Sequence, residues 1–263
     1  MYSLKNNKVL VLFVILVYVF LCAPLLIIGA TAFDSGNIMS FPPKGFSFRW
    51  FAMVFQSETF MTTLGISFQV AVLATLIALI IGIPAAYALS RKNYRGKNIV
   101  QNIFISPIIV PGVVLGFAFF RFLIIKLQFG VFLSLLIGHV IIVIPYIIRV
   151  IGSSLDNLDF SIEEAAVSLG ATKVRAFFLI VLPNITSGVI AAFMLAFINS
   201  FNNVPVSLFL TGPGVSTLPI SMMSYVEYNY DPAISALSVI LMAITVLIMF
   251  VIEKTLGLNH FTE

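Results

Sequence analysis

Apolar positions in this chain gather into six long runs. They cover approximately residues 9–32, 62–90, 99–125, 131–150, 185–204 and 232–252. Each run meets the roughly 20 residues that a helix needs to cross a bilayer. The pattern predicts an all-α integral membrane protein, a single transmembrane domain over 1–263 with six transmembrane helices. One stretch departs from it. Residues 151–184, between the fourth and fifth runs, alternate polar and apolar positions with helical spacing.

Within that stretch, Ser161-Ile162-Glu163-Glu164 has the form of a capping box, which starts a helix. Ile162, Ala165, Ala166 and Leu169 follow at the i, i+3, i+4, i+7 spacing of one apolar face. The two alanines on that face let another backbone approach closely. Gly170 is placed to end the helix in a left-handed turn. Thr172 is placed to cap a second short helix carrying Val174, Phe177, Phe178 and Val181, which Pro183 stops. The prediction is a helical hairpin at the membrane surface. The first helix is acidic through Asp156, Asp159, Glu163 and Glu164. The cytoplasmic leaflet is also negative. Docking on a protein therefore explains the hairpin better than lying on lipid headgroups does.

Composition agrees with a lipid solvent. The 263 residues are 60% hydrophobic and 9% charged, with a mean hydropathy of +1.13. Soluble domains carry about a quarter charged residues. The net charge of +4 is informative through its distribution. Lys5 and Lys8 precede the first run, and Arg91, Lys92, Arg95 and Lys97 fill the loop after the second. Lys173 and Arg175 lie between the fourth and fifth, and Lys254 follows the sixth. By the positive-inside rule this side is cytoplasmic, and with it both termini and the hairpin. Ala30-Thr31-Ala32 resembles a signal cleavage site, but the run before it far exceeds the ~7–15 residues of a signal core, so an uncleaved anchor is expected. Cys22, the only cysteine, excludes an internal disulfide and is expected to be buried packing.

Pro84, Pro107, Pro111 and Pro145 fall inside the runs. Each removes a backbone donor, which membranes tolerate where neighbouring helices or a wet cavity satisfy the freed carbonyl. Pro107 and Pro111-Gly112 are the most suggestive group. The densest polar cluster near a span is Asn199, Ser200, Asn202 and Asn203. Amides facing lipid would go unsatisfied, so these side chains turn inward, either to bond partner helices or to line a solute path. Tyr146 and Arg149 are candidates to approach the path from the fourth span. His139, inside that span, suits interhelical bonding or a proton or substrate role. His260 is expected in a solvated tail. No metalloprotease, phosphate-loop or serine-hydrolase motif is present, so no catalytic residue, metal site or bound cofactor is expected, and nothing here powers transport alone. Acidic groups inside the spans are nearly absent, which argues against a proton-driven transporter.

Glu164-Ala165-Ala166, three residues, Gly170, nine residues, then Ile180-Val181-Leu182-Pro183 resembles the coupling motif of permease subunits in binding-protein-dependent ABC importers. The resemblance extends over nearly the whole chain. It implies a multi-pass protein of the bacterial inner membrane, with the hairpin as the coupling element. Glu163, Glu164, Ala165, Ala166, Leu169, Gly170, Ile180, Leu182 and Pro183 would couple to an ATPase. The implied partners are two cytoplasmic ATPase subunits, which hold the ATP and magnesium, a second homologous permease, and an extracytoplasmic solute-binding protein. Membrane lipid surrounds the assembly and nucleic acid has no part in it. Within the family the chain is most similar to the second permease of polyamine-type (spermidine/putrescine) importers. The carrying segments are Phe46 to Phe51, Tyr94 to Lys97, Val206 to Pro213 and Thr217 to Pro219. It departs from them at Asn202-Asn203, where polyamine permeases tend to carry acidic residues. Importers of 2-aminoethylphosphonate, iron(III) or another organic ion share parts of the pattern. A structural or assembly membrane protein, or a channel, is the reading from a different class.

Overall fold

The interior of this protein is organised by one helix. The computed structural model describes residues 8–92 and 94–255. The chain termini, Lys5 and His260 lie outside the described residues. In chain order the helices are α1 (Lys8–Thr31), α2 (Arg49–Gln56), α3 (Glu58–Arg91), α4 (Lys97–Ile109), α5 (Gly112–Lys126) and α6 (Val131–Asp156). They continue with α7 (Phe160–Ser168), α8 (Lys173–Asn184), α9 (Thr186–Phe201), α10 (Leu218–Tyr228) and α11 (Ala233–Thr255). No strand occurs among the described residues.

Four of these helices, α1, α3, α6 and α11, are long and apolar enough to cross a membrane, and two bent pairs raise the number to as many as six. The run predicted over about 99–125 is one of these pairs: α4 and α5 meet at 100°. Val110 and Pro111 are both extended there, with ψ of 132° and 130°. A proline disfavours the helical conformation in the residue before it and donates no hydrogen bond, and at Val110-Pro111 both residues are extended, so α4 ends there. Helical structure continues through Pro84, Pro107 and Pro145. The fifth run, predicted over about 185–204, is α9, which forms the other bent pair with α8 of the preceding hairpin stretch, at 72° around Ile185. At 16 residues, α9 is about 24 Å long, short of the ~30 Å hydrocarbon core, so a crossing here needs part of α8.

The chain divides into two compact units, each described in its own terms. The larger, residues 62–221 with 248–263, is built on α6. Leu135, Val143, Ile147, Ile151 and Leu155 of α6 are fully or almost fully buried. Small residues let neighbours come close: Ala74 and Ala78 of α3, and Gly188, Ala192 and Ala196 of α9, are buried at four-residue spacing. This replaces the hydrophobic effect, which lipid cannot supply between helices, with tight backbone approach. A Cβ at Gly188 would overlap the Ser154 side chain on α6, so only glycine fits that crossing. In the smaller unit, residues 1–61 with 222–247, the Thr31 and Ser235 hydroxyls lie 2.9 Å apart and the Met39 N–H donates to the Tyr230 carbonyl at 3.2 Å. Asp34 is fully buried and gathers its own loop. It accepts from the Gly36 N–H at 2.9 Å, the Ser40 hydroxyl at 2.9 Å and the Lys44 N–H at 3.1 Å. On α1 the apolar side chains face outward, Phe13, Tyr18 and Phe20 among them. Cys22 is exposed with them rather than packed in a core, because α1 meets α11 near its end, at Thr31, and leaves the apolar stretch before it uncovered.

Candidate functional site: the helical hairpin and the polar cavity

The hairpin forms where the sequence places it, with one change at its start. The cap of α7 is Asp159 and not Ser161: the Asp159 carboxylate accepts the Ser161 N–H at 2.9 Å. Ser161 lies inside the first turn, and a charged acceptor suits the positive helix end. The same Ser161 N–H, and then its hydroxyl, hold the Asp159 carboxyl below its usual pKa. At the other end Gly170 has φ of +95°. Its N–H donates to the Val167 carbonyl at 2.9 Å and the Ala171 N–H to the Ala166 carbonyl at 3.1 Å. This pair of bonds is the Schellman closure, which requires the left-handed residue. Thr172 caps α8 through the Arg175 N–H at 3.3 Å.

The middle of α8, Phe177–Val181, is π-helical, so the Leu182 N–H reaches the Phe177 carbonyl and the helix passes Pro183. It ends at Asn184, one residue beyond the proline predicted to stop it. At the bend, Asn184 Nδ2 donates to the Ile180 carbonyl at 2.7 Å and the Thr186 hydroxyl to the Pro183 carbonyl at 2.8 Å.

The faces of α7 sort unexpectedly. Ile162 is 45% exposed and Leu169 89% exposed; Ala165 is exposed and Ala166 half-buried. Along α8, Val174 and Phe178 are 68% and 59% exposed, Ile180 and Leu182 are half-buried and Pro183 is exposed. The apolar face predicted for α7 therefore points outward and leaves a bare apolar tip. Glu164 is also exposed, whereas Glu163 turns inward and is only 5% exposed. Glu163 accepts a short hydrogen bond from the Tyr87 hydroxyl, and its second oxygen lies 3.7 Å from Arg91 Nε. Sequence reasoning missed Tyr87 and Arg91. They stand more than 70 positions before Glu163, and only the fold brings them together.

The polar cluster at the end of α9 divides in three. Ser200 is buried and bonds His139 Nδ1 at 2.8 Å, while Ser207 bonds Nε2 at 3.0 Å. Ser200 thus belongs to an interhelical network. Asn199, Asn203 and Tyr146 line a cavity of about 170 Å³, together with Pro107, Gly112 and Leu115 at the α4–α5 break. Asn203 also accepts the Val206 N–H at 3.0 Å and so fixes the turn at Ser207–Phe209. Asn202 is exposed and is not part of this cavity. Tyr146 continues into a second, more open groove of about 640 Å³ between α6 and α9, lined by Arg149, Ser153, Ser154 and Ser187. The helical spacing of Tyr146, Arg149 and Ser153, at i, i+3 and i+7, is the signal that identifies this face in the sequence.

Residues 78–257 match the family described as binding-protein-dependent transport system inner membrane component. The putrescine transport system permease protein PotI of Escherichia coli (strain K12) is 31% identical over 249 residues, spanning 92% of this chain and 88% of that protein. The spermidine/putrescine transport system permease protein PotC of Haemophilus influenzae is 30% identical over 253 residues, 94% of this chain and 96% of that one. A crystal structure of a bacterial ABC transporter involved in the import of the acidic polysaccharide alginate superposes with a TM-score of 0.71 at 19% identity, covering 100% of this chain and 99% of the other. The chain belongs to the family of inner-membrane components of binding-protein-dependent transport systems, and is a permease subunit of an ABC importer.

Proposed function

We propose that this permease crosses the bacterial membrane six times, with both termini and the hairpin in the cytoplasm, and that the hairpin carries motion from an ATPase into the spans. The observation that carries this reading is the outward apolar face of the hairpin. Ile162, Leu169, Val174 and Phe178 are bare on a structured, capped element. Bare apolar surface on such an element marks a docking site. The residues assigned to the coupling surface are Glu164, Ala165, Ala166, Leu169 and Gly170, with Ile180, Leu182 and Pro183 transmitting the motion along α8. Glu163 acts from the inner side. ATP and magnesium are held and turned over by two separate cytoplasmic subunits. A second permease completes the path, and an extracytoplasmic binding protein delivers the solute.

The cargo supported by the relatives' names is a polyamine such as putrescine or spermidine. The cavity bearing Tyr146, Asn199 and Asn203 is the proposed path, with Ser200 in the hydrogen-bond network beside it and Asn202 outside it. A second reading has a specific observation in its favour. Arg149 faces the groove and no carboxylate lines either space. A guanidinium with hydroxyls around it suits an anionic group, as in 2-aminoethylphosphonate. The test is uptake into proteoliposomes holding the permease pair and its ATPases, with the binding protein outside. Radiolabelled putrescine, spermidine and 2-aminoethylphosphonate are supplied in turn. ATP-dependent accumulation of a polyamine supports the first reading and of the phosphonate the second. Accumulation of neither, in vesicles whose ATPase is stimulated by the loaded binding protein, removes both.

A further inference from the structure

The hairpin is joined covalently to α6 before it and to α9 after it, yet its strongest polar contacts are with α3. We infer that Tyr87, Arg91 and Glu163 form a latch that fixes the hairpin to the end of α3, so that coupling motion enters α3 directly. The inference rests on the hairpin being the coupling element.

Glu163 is the buried charge of the hairpin, and the polar groups that meet it are the Tyr87 hydroxyl and Arg91 Nε. Arg91 does more than balance this charge. Its Nη2 donates to the Leu158 carbonyl at 3.3 Å, and its guanidinium lies 5.0 Å from the Phe160 ring centroid. One side chain thereby grips the turn before α7, its first residue and its buried carboxylate. The adjacent Ser90 hydroxyl donates to Asp156 at 2.7 Å, and the Tyr87 ring packs edge-on against Phe177 of α8 at 4.9 Å. Every one of these contacts comes from a single turn of α3, Tyr87 to Arg91.

The rest of the boundary between α3 and the hairpin is open. A cavity of about 710 Å³ adjoins the latch, lined by Tyr87, Arg91 and Glu163 themselves and by Pro84, Val167 and Val174 among others. Beside that space the Tyr87 ring on Phe177 supplies apolar contact, and the polar latch bears the link together with it. Sliding the hairpin along α3 would strand a buried carboxylate, which is strongly disfavoured, so the link is kept or broken as a whole. Pro84 stands three residues before Tyr87 and removes a backbone hydrogen bond there.

The experiment uses the complete importer in proteoliposomes, in a Cys22→Ala background. Spin labels at Lys92→Cys and Lys173→Cys report the distance from α3 to the hairpin without ATP and after trapping with ATP and vanadate. The latch predicts one narrow distance in both states. It predicts a broad distribution in Tyr87→Phe and Glu163→Gln, with a fall of about ten-fold in binding-protein-stimulated ATP hydrolysis, the scale of one lost charge-assisted bond. ATPase copurification should persist in both variants. Exchanging the pair, Arg91→Glu with Glu163→Arg, should restore part of the stimulation lost in Arg91→Glu alone. A distance that changes on trapping while wild-type transport proceeds overturns the latch. So does loss of ATPase copurification in Tyr87→Phe, which would make these residues supports of the docking surface only. Leu169→Asp is the separate control for docking. Unchanged copurification and stimulation in that variant sinks the coupling reading, while the distance measurement still reports on the latch.

Discussion

His139 shows how a polar side chain is accommodated inside this chain. It is 1% exposed and lies between two hydroxyls. The Ser207 hydroxyl donates to the Asn203 carbonyl at 2.7 Å, so toward His139 it accepts. Nε2 therefore carries the proton, and Nδ1 accepts from Ser200. One neutral tautomer satisfies every donor, and the imidazole acts as a bridge between α6, α9 and the Ser207 turn. His139→Phe should cost about 1–3 kcal/mol through the buried Ser200 hydroxyl it leaves without its acceptor. It should lower the thermal midpoint in detergent and leave the pH dependence of uptake unchanged. A shifted pH profile with an unchanged midpoint would instead mark a proton carrier. Gly170 is the second decisive residue. Nothing lies within 4 Å of a Cβ built there, so its requirement is purely the left-handed backbone. Gly170→Val should cost about 1–2 kcal/mol of local conformation. Solute-stimulated ATP hydrolysis should fall while the protein stays inserted; normal stimulation would refute the role given to this turn. Gly170 and Thr172 were legible from spacing. The Asp159 cap was not, because the capping-box pattern singled out Ser161, which has Glu164 three positions on.

At the level of elements, periodicity found the helices but not which face each one buries. Ile162, Ala165, Ala166 and Leu169 read as one apolar stripe, and they are one. The stripe points outward because the opposite side of α7 is taken by Glu163, held from α3. A sequence window of one helix contains no information about Tyr87 or Arg91. The bend between α4 and α5 was half legible. Pro107 and Pro111 were both visible, yet only Pro111 breaks the helix, since its predecessor Val110 is extended as well. The loop of residues 33–48 carried no structural expectation, and it makes its own prediction. The Gly36 N–H, followed by Ser40 and Lys44, holds the Asp34 carboxyl below its ordinary value of 3.8, against the opposing effect of burial. A depressed folded value gives stability that is present above the unfolded value and lost as pH falls through the folded one. The loop should therefore stay protected from hydrogen exchange at neutral pH, begin to lose that protection as pH falls below about 4, and open as pH falls through the depressed folded value. Asp34→Asn should open it at all pH values. Equal protection in the variant at neutral pH would remove Asp34 from this role.

For the whole molecule, the class was readable because lipid imposes it. A chain with 9% charged residues has no other solvent available, and the coupling spacing is specific enough to name the family. Orientation and cargo are set by charge, and each has a test. A cysteine at Thr172, on the exposed hairpin turn, in a Cys22→Ala background should react with membrane-impermeant thiol reagents only after permeabilisation. Reaction in intact cells would reverse the orientation and detach the hairpin from any cytoplasmic ATPase.

The cargo question comes down to two positions, one in the cavity and one in the groove, two spaces that share Tyr146 as a wall. Asn203→Asp keeps an acceptor for the Val206 N–H, so the turn it caps survives while a negative charge enters the cavity. Arg149→Gln removes the positive charge from the groove. In a poorly solvated path, a unit charge within reach of the solute is worth about 1–2 kcal/mol, or roughly five- to thirty-fold in rate. For a polyamine, both changes should hold or raise uptake at subsaturating solute. For an anion-bearing solute, both should lower it by that factor. Asn203→Leu, which removes the cap and the amide together, should impair either cargo, and Asn202→Leu should do so less, because Asn202 is outside the cavity. Opposite responses of Asn203→Asp and Arg149→Gln to one solute would show that the two sites do not share a path. Transport at wild-type rates in all four variants, with basal ATP hydrolysis intact, would place the path elsewhere in the permease pair.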